Sequence, residues 1–478
     1  MNTVNSTDSA TTPVPTPAPA LWADLRAALR GTNADYTRIP LKRAVFLLAV
    51  PMVLELVLES TFAVVDIFFV AKLGSSAVAT VGLTETYLFL LYSVAIGLSM
   101  AVTAIVARRV GEQRNDEAAL SSVQAIWLAA LVSVPVAIAG IFFSQDLLRL
   151  MGADAWAIEH GYRYTQWMLG GNVVIMLLFV INAIFRGAGD AAAAMRVLWV
   201  ANAINIVLDP ILIFGWGPIP AMGIEGAAIA TNIGRGVGVL MQLRILARGC
   251  EHLRIVRASV RWHGATLLNI VQTSLGGIGQ MIVAMTAGIF LMRILASIST
   301  EAVAGATIAI RVMMFTLMPA WGMSNAAATL VGQNLGAGEP ARAEASVWRI
   351  GWMNMVFTLA VSIAFFFWHD PIIGLFTDDA RVIAIGGQWL SILAYSYFVY
   401  GWWMVAVQAF NGAGDTMTPT WINLVFFWLI QIPLAWALAI PLGYAHAGVF
   451  WGVFVSETAV GVFTLWLFSR GRWKTVKV

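Results

Sequence analysis

The chain has 478 residues, of which 60% are hydrophobic and only 11% charged, with a mean hydropathy of +0.81. A soluble globular protein carries about 25% charged residues, so this composition excludes a cytosolic enzyme, a nucleic-acid binder and a disordered scaffold. The 28 basic and 25 acidic residues leave a formal charge of +3, and a single cysteine, Cys250, excludes an internal disulfide framework or a cysteine-built metal site.

Residues 1–20 are rich in Ser, Thr, Ala and Pro, which predicts a disordered tail rather than a signal peptide. Leu21, Trp22, Leu25 and Leu29 then fit either a short amphipathic helix on the membrane surface or a loosely ordered linker. Twelve apolar segments follow, at about 43–71, 79–107, 121–143, 162–184, 194–214, 225–247, 265–297, 303–332, 347–368, 385–410, 418–440 and 447–469. Several exceed the ~20 residues that a span needs, which predicts tilt, kinks or surface extensions. With both termini and the even-numbered loops on one side, that side holds 21 Lys and Arg and the other 6, and Arg235 lies inside a span. The positive-inside rule then places both termini in the cytoplasm of a multi-pass protein in the bacterial cell membrane.

The first span carries Glu55, Glu59 and Asp66. On a helix, Glu59 lies about 40° and Asp66 about 20° from Glu55, so the three share one stripe. Charges in hydrocarbon are costly, and this stripe should face a cavity. Pro51 in the same span removes a backbone hydrogen bond and offers a hinge. In the fifth span Asn205 and Asp209 are four apart and share a face, while Pro210 frees the carbonyl of Ile206. Thr231 on the sixth span adds a hydroxyl. Carboxylates, an amide oxygen and a hydroxyl suit a hard cation such as Na+, and the same carboxylates in a dry site could instead carry protons. Both uses stay open at this point. So do plainer roles: a cap for Asp209, a helix end for Asp66 near Lys72, and a structural polar contact for Glu55.

A shift of 225 residues lays the chain on itself. GLSMAVTAIVARRVG at 97–111 falls on GMSNAAATLVGQNLG at 322–336, Ala77–Ala79 on Ala302–Ala304, and RGAGD at 186–190 on NGAGD at 411–415. Six spans per repeat is an even number, so both halves enter the membrane alike and are related by a pseudo-twofold axis along its normal. The expected fold is an all-α membrane protein of twelve transmembrane helices in two six-helix lobes. Its plan is an N-terminal segment 1–40, a first lobe 41–247, a cytoplasmic linker 248–264, a second lobe 265–470 and a tail 471–478. Two similar lobes around a shared site favour a transporter.

Under the same shift Asp66, Asn205 and Asp209 meet Leu291, Ile430 and Leu434, so ion coupling is expected in the first lobe. The clearest mid-span acid of the second lobe is Glu457. For substrate contact, Met281, Met285, Met313, Met314, Met318 and Met404 would form an adaptable apolar wall. Tyr397, Tyr400, Trp402 and Trp403 could stack on a flat cation, and Glu55 with its counterpart Gln280 supply polar groups. The five histidines do not cluster, and no HExxH, GxSxG or Asp-rich diphosphate motif supports an intramembrane enzyme. No cofactor beyond a coupling ion is expected.

FAVVDIFFVAKLG (62–74), VARRVGEQ (106–113), FRGAGD (185–190), NIVLDPILI (205–213) and GIEGAAIAT (223–231) together resemble the multidrug and toxic compound extrusion (MATE) family, over about residues 40–470. The resemblance implies a V of two six-helix lobes and an antiporter that expels cationic or amphipathic toxic compounds in exchange for H+ or Na+. The chain is most similar to the DinF branch, which implies a cation site at Asp66, Asn205, Asp209 and Thr231, with Glu59 beside it. The NorM branch relies on acids in early helices of the second lobe, and the seventh span here has none. The Glu55/Glu59 pair and the Trp216–Pro220 insert depart from the family pattern. The implied partners are small organic cations or amphipathic drugs and membrane lipids, with the protein acting as a monomer. The alternative is a lipid-linked oligosaccharide flippase of the wider superfamily, which would have a more basic cavity.

Overall fold

The computed structural model describes residues 21–32, 34–249, 253–255 and 259–476. The expected tail at 1–20, Cys250, part of the linker and the last two residues lie outside the described residues. A surface helix, α1 (Leu21–Arg30), precedes the long helices α2 (Leu41–Ala71), α3 (Ser75–Gly111) and α4 (Asn115–Leu150). The first repeat continues through α5 (Tyr162–Gly170), α6 (Asn172–Ala188), α7 (Ala191–Phe214) and α8 (Ile224–Arg248). The second contains α9 (Gly264–Ala296), α10 (Thr300–Gly336), α11 (Pro340–Gly374), α12 (Ala380–Ala394) and α13 (Tyr397–Ala413). It ends with α14 (Met417–Asn423), a π-helical stretch at Leu424–Gln431, α15 (Ile432–Ala439) and α16 (Ala445–Ser469).

Each of the twelve expected segments is helical. Among the described residues nine spans are long and apolar enough to cross a membrane, and α12 with α13, bent by 62° at their break, makes a tenth. The remaining two are α2 and α8, which carry the mid-helix charges Glu55, Glu59, Asp66 and Arg235. The fourth span of each repeat is interrupted at matching places, Gly171 and Ser396. The segment at 21–30 is the amphipathic helix, with Ala28 buried and Leu21 and Trp22 exposed.

The repeat reappears as contact geometry. A Cβ on Gly111 would meet the Gln333 carbonyl oxygen at 2.1 Å, and one on its counterpart Gly336 would meet that of Arg108 at 2.3 Å. Gly97 and Gly322 are equally close to the backbone, at Ile278 and Met52. Small residues let helices in lipid approach to backbone contact, so α3 and α10 cross each other without intervening side chains. Beside this crossing, the turns after α6 and α13 match as well. Gly189 and Gly414 take positive φ of 94° and 91°, and Asp190 and Asp415 then accept from Ala193 N and Thr418 N. Gln333 reaches across to donate to the Gly187 carbonyl (3.0 Å), and Arg108 reaches the opposite way to Ala413 (3.2 Å).

The first helix of each repeat begins against the other repeat. Ala44, Val45, Leu47, Leu48, Ala49 and Met52 of α2 share a core with Leu330, Val331, Val347, Ile350 and Phe410. Ile270 of α9 packs with the first repeat. The glycine crossing lies at the basic end of the bundle, and both ends of the described chain tie it further. Arg342 donates to the carbonyls of Tyr36 and Ile39, Tyr36 OH to that of Gly189, and Arg108 to that of Val476.

Gly111→Ala and Gly336→Ala should each lower the Tm of the purified protein, since overpacking costs about 1–3 kcal/mol. Gly236→Ala, where nothing lies within 4 Å of the added methyl, should leave Tm unchanged or slightly raised. Equal Tm shifts in all three variants would refute the backbone contact at the crossing.

Candidate functional site

The acidic stripe of α2 faces the interior of the first repeat, at three levels. At the first, Glu55 Oε1 accepts from Arg186 Nη1 (3.1 Å) and Asn182 Nδ2 (3.2 Å), both from α6. Gln242 of α8 donates to Asn182 Oδ1 (2.7 Å) and orients that amide. At the second, Glu59 accepts from Asn202 Nδ2 (3.1 Å) of α7 and Arg235 Nη2 (3.3 Å) of α8. Arg235 also donates to Tyr92 OH (3.2 Å), and its guanidinium lies 5.9 Å from the centre of the Phe62 ring.

The third level has no guanidinium bonded to it. Asp209 is fully buried, and both its carboxylate oxygens lack a hydrogen-bond partner. Asp66 Oδ1 and Asn205 Oδ1 are buried and unpartnered too. Asn205 turns its Nδ2 to Thr231 Oγ1 (3.0 Å), which leaves its oxygen free. Asp66 is near enough for its charge to act on Asp209, while Glu85 and Arg235 act on Asp66. Four carboxylates, Glu55, Glu59, Asp66 and Asp209, therefore face two guanidiniums, Arg186 and Arg235. Buried charges need compensation, and no guanidinium is bonded to Asp66 or Asp209 to supply it. The α2 helix runs through Pro51 without a non-helical residue, and Pro51 adjoins the contact between Met52 and Gly322.

The second repeat holds a cavity of about 670 Å³. Its wall includes Met281, Met285, Met313, Met314, Met318 and Met404, with Gln280, Tyr400, Trp403, Phe427, Gln431 and Glu457. Phe89 and Met100 of α3 close it from the first repeat. Three expected substrate contacts fall elsewhere. Glu55 is ion-paired in the other repeat. Tyr397 lies behind the wall, its OH bonded to Thr316 Oγ1 (2.6 Å) and to the Met313 carbonyl (3.3 Å). Trp402 is about 200° round the helix from Tyr400 and packs edge-on against Trp348 and Trp352.

The MatE family model matches residues 51–211 and 278–437, one block in each repeat. The chain belongs to the MatE family. A "FAD transporter" of Shewanella oneidensis is 28% identical to it over 414 residues, 83% of this chain and 88% of that one. A "Probable multidrug resistance protein NorM" of Thermotoga maritima is 28% identical over 437 residues, 91% and 93% of the two chains. The same fold occurs in a solved structure described as the outward-facing conformation of a multidrug resistance MATE family transporter, with a TM-score of 0.85 and 24% identity over 93% of this chain and 99% of that one. As a MatE member, the protein is a multi-pass membrane transporter and not an enzyme.

Sequence reasoning singled out Arg235 only as a charge inside a span and gave Arg186 and Asn202 no role. Their signal was present as repeat asymmetry. Arg235 meets Val460 and Asn202 meets Phe427 under the 225 shift, so only the first repeat carries the groups that answer its acids. Removing Arg186 leaves Glu55, whose side chain is 4% exposed, charged without a bonded cation. Arg186→Met should therefore cost about 3–5 kcal/mol of stability. The double variant with Glu55→Gln should recover most of that loss in a double-mutant cycle of thermal unfolding. Additive losses would refute the pairing.

Proposed function

We propose that the protein is a cation-coupled antiporter that exports cationic or amphipathic toxic compounds by alternating access, across a cell membrane with both termini in the cytoplasm. The observation that carries this reading is the cluster of four unpartnered buried oxygens at Asp66, Asn205 and Asp209. Oxygens lacking donors in an apolar interior are costly, and a Na+ ion or added protons would satisfy them. Thr231, already bonded to Asn205, would add its hydroxyl to the set. Glu59, held by Arg235, acts as a neighbour of that site rather than a ligand. This arrangement supports the DinF-like expectation of a coupling site in the first repeat.

In the mechanism, the incoming cation draws the carboxylates of α2 and α7 together. Because α2 packs on the second repeat up to Met52 and faces the first repeat beyond it, a shift at Asp66 is relayed to the contact at Pro51 and Gly322. Drug and cation then oppose each other, a negative coupling between separate sites. Each chain carries both sites, so a monomer suffices. The relative named for FAD suggests a nucleotide-like cargo, and a flippase would carry a lipid diphosphate. Among the described residues no Arg, Lys or His belongs to the cavity wall, which disfavours both anions.

Efflux of a fluorescent cation from proteoliposomes, under a pH gradient and separately under a Na+ gradient, tests the proposal. One gradient should drive efflux, and Asp66→Asn and Asp209→Asn should each abolish that drive, a loss of about a hundredfold or more if the charge is required. Intact coupled efflux in Asp209→Asn would overturn the coupling site. No efflux by folded parent protein under either gradient would overturn the antiporter reading.

A further inference from the structure

We propose that Glu457, with Tyr400 and Gln431, forms the site in the second repeat that holds the positive charge of an organic cation with an aromatic or otherwise apolar body. This inference rests on the export reading above and assigns the cargo its own carboxylate, separate from the coupling acids.

Among the described residues, Glu457 is the single charged one in the wall of the cavity. The acids Glu55 and Glu59 in the other repeat are each met by a guanidinium. Glu457 has no such partner: the neutral polar groups of Tyr400 and Gln431 share the cavity wall with it, and its Oε2 is buried with no partner. Neutral donors orient a carboxylate without cancelling its charge. An arginine in the wall would have exposed no negative charge to a ligand.

The fold does not require an acid here. Under the 225 shift Glu457 corresponds to Asn232, whose amide donates to the Trp167 and Ala228 carbonyls (3.0 and 2.9 Å) as a plain structural bridge. Gln431 corresponds to Ile206. It sits at the end of the π-helical stretch Leu424–Gln431, two residues before Pro433. A π-helical turn re-aims the side chains that follow it, and here Gln431 lines the same cavity as Glu457.

The rest of the wall suits the body of such a ligand. Met281, Met285 and Met313 are flexible and polarisable, and adapt to differing shapes. Tyr400 and Trp403 pack edge to face, with ring centres 5.4 Å apart, and offer ring faces to a cation. A volume of about 670 Å³ lies in the range of drug-sized sites.

Equilibrium binding of tetraphenylphosphonium, a permanent monocation, and of triphenylphosphine oxide, its neutral relative, tests the assignment on purified full-length protein. Glu457→Gln should weaken tetraphenylphosphonium binding by about tenfold or more and leave the neutral compound within about twofold. Glu457→Asp keeps the charge and should retain most of the cation preference. Equal loss of both compounds in Glu457→Gln, or equal cation loss in the Gln and Asp variants, would show a packing role and overturn the assignment. Unchanged cation binding in Glu457→Gln would also overturn it and leave the export reading standing. A parent that binds no cation would overturn both.

Discussion

The crossing of α3 and α10 at glycine distance is the constraint on which the rest of the molecule depends. Where Gly111 meets Gln333 and Gly336 meets Arg108, the two repeats touch backbone to backbone, with no side chain to set a wider spacing. That approach brings Arg108 and Gln333 within reach of carbonyls in the opposite repeat. It also lets both chain ends lie across the same face, through Tyr36, Arg342 and Val476. The repeats are held tightly at this basic end, and the polar interior of one and the cavity of the other lie beyond it.

The crossing also divides α2 into two functional parts. Its first turns belong to the core of the second repeat, and its later turns present Glu55, Glu59 and Asp66 to the first. Pro51 falls at the change of partner. A helix that packs on one body and carries charge toward another is the natural relay between them. The gradient of compensation along it gives that relay a direction: Glu55 and Glu59 are each bonded to an arginine, whereas no guanidinium is bonded to Asp66 or Asp209. In an apolar interior, the end without a bonded counter-charge is the one whose state an arriving cation changes most.

The second repeat uses the same backbone for another purpose. Its equivalents of Asp66 and Asp209 are leucines, and one of them, Leu291, lines a cavity of methionine and aromatic side chains. Duplication supplied two scaffolds with matched glycine contacts and matched caps at Asp190 and Asp415. Divergence then placed charge in one and apolar volume in the other.

Sequence by itself determined the number of spans, the 225-residue repeat and the shared stripe of Glu55, Glu59 and Asp66, because hydropathy, offset and helical period are local properties of the chain. It also placed Asn205, Asp209 and Thr231 in one group by residue chemistry and by family likeness. It did not separate Tyr400 from Tyr397 and Trp402, which share a helix and a residue class and differ only in which way they face. Nor did it decide that Arg186 and Arg235 answer Glu55 and Glu59, or that Glu457 stands in the cavity wall without a bonded counter-charge. Those outcomes depend on which helices touch, and the partners are far apart in the chain, 131 positions for Arg186 and Glu55 and 176 for Arg235 and Glu59. Side chains with the same local pattern thus became a bonded pair, a cavity wall or a buried spacer only when the helices packed.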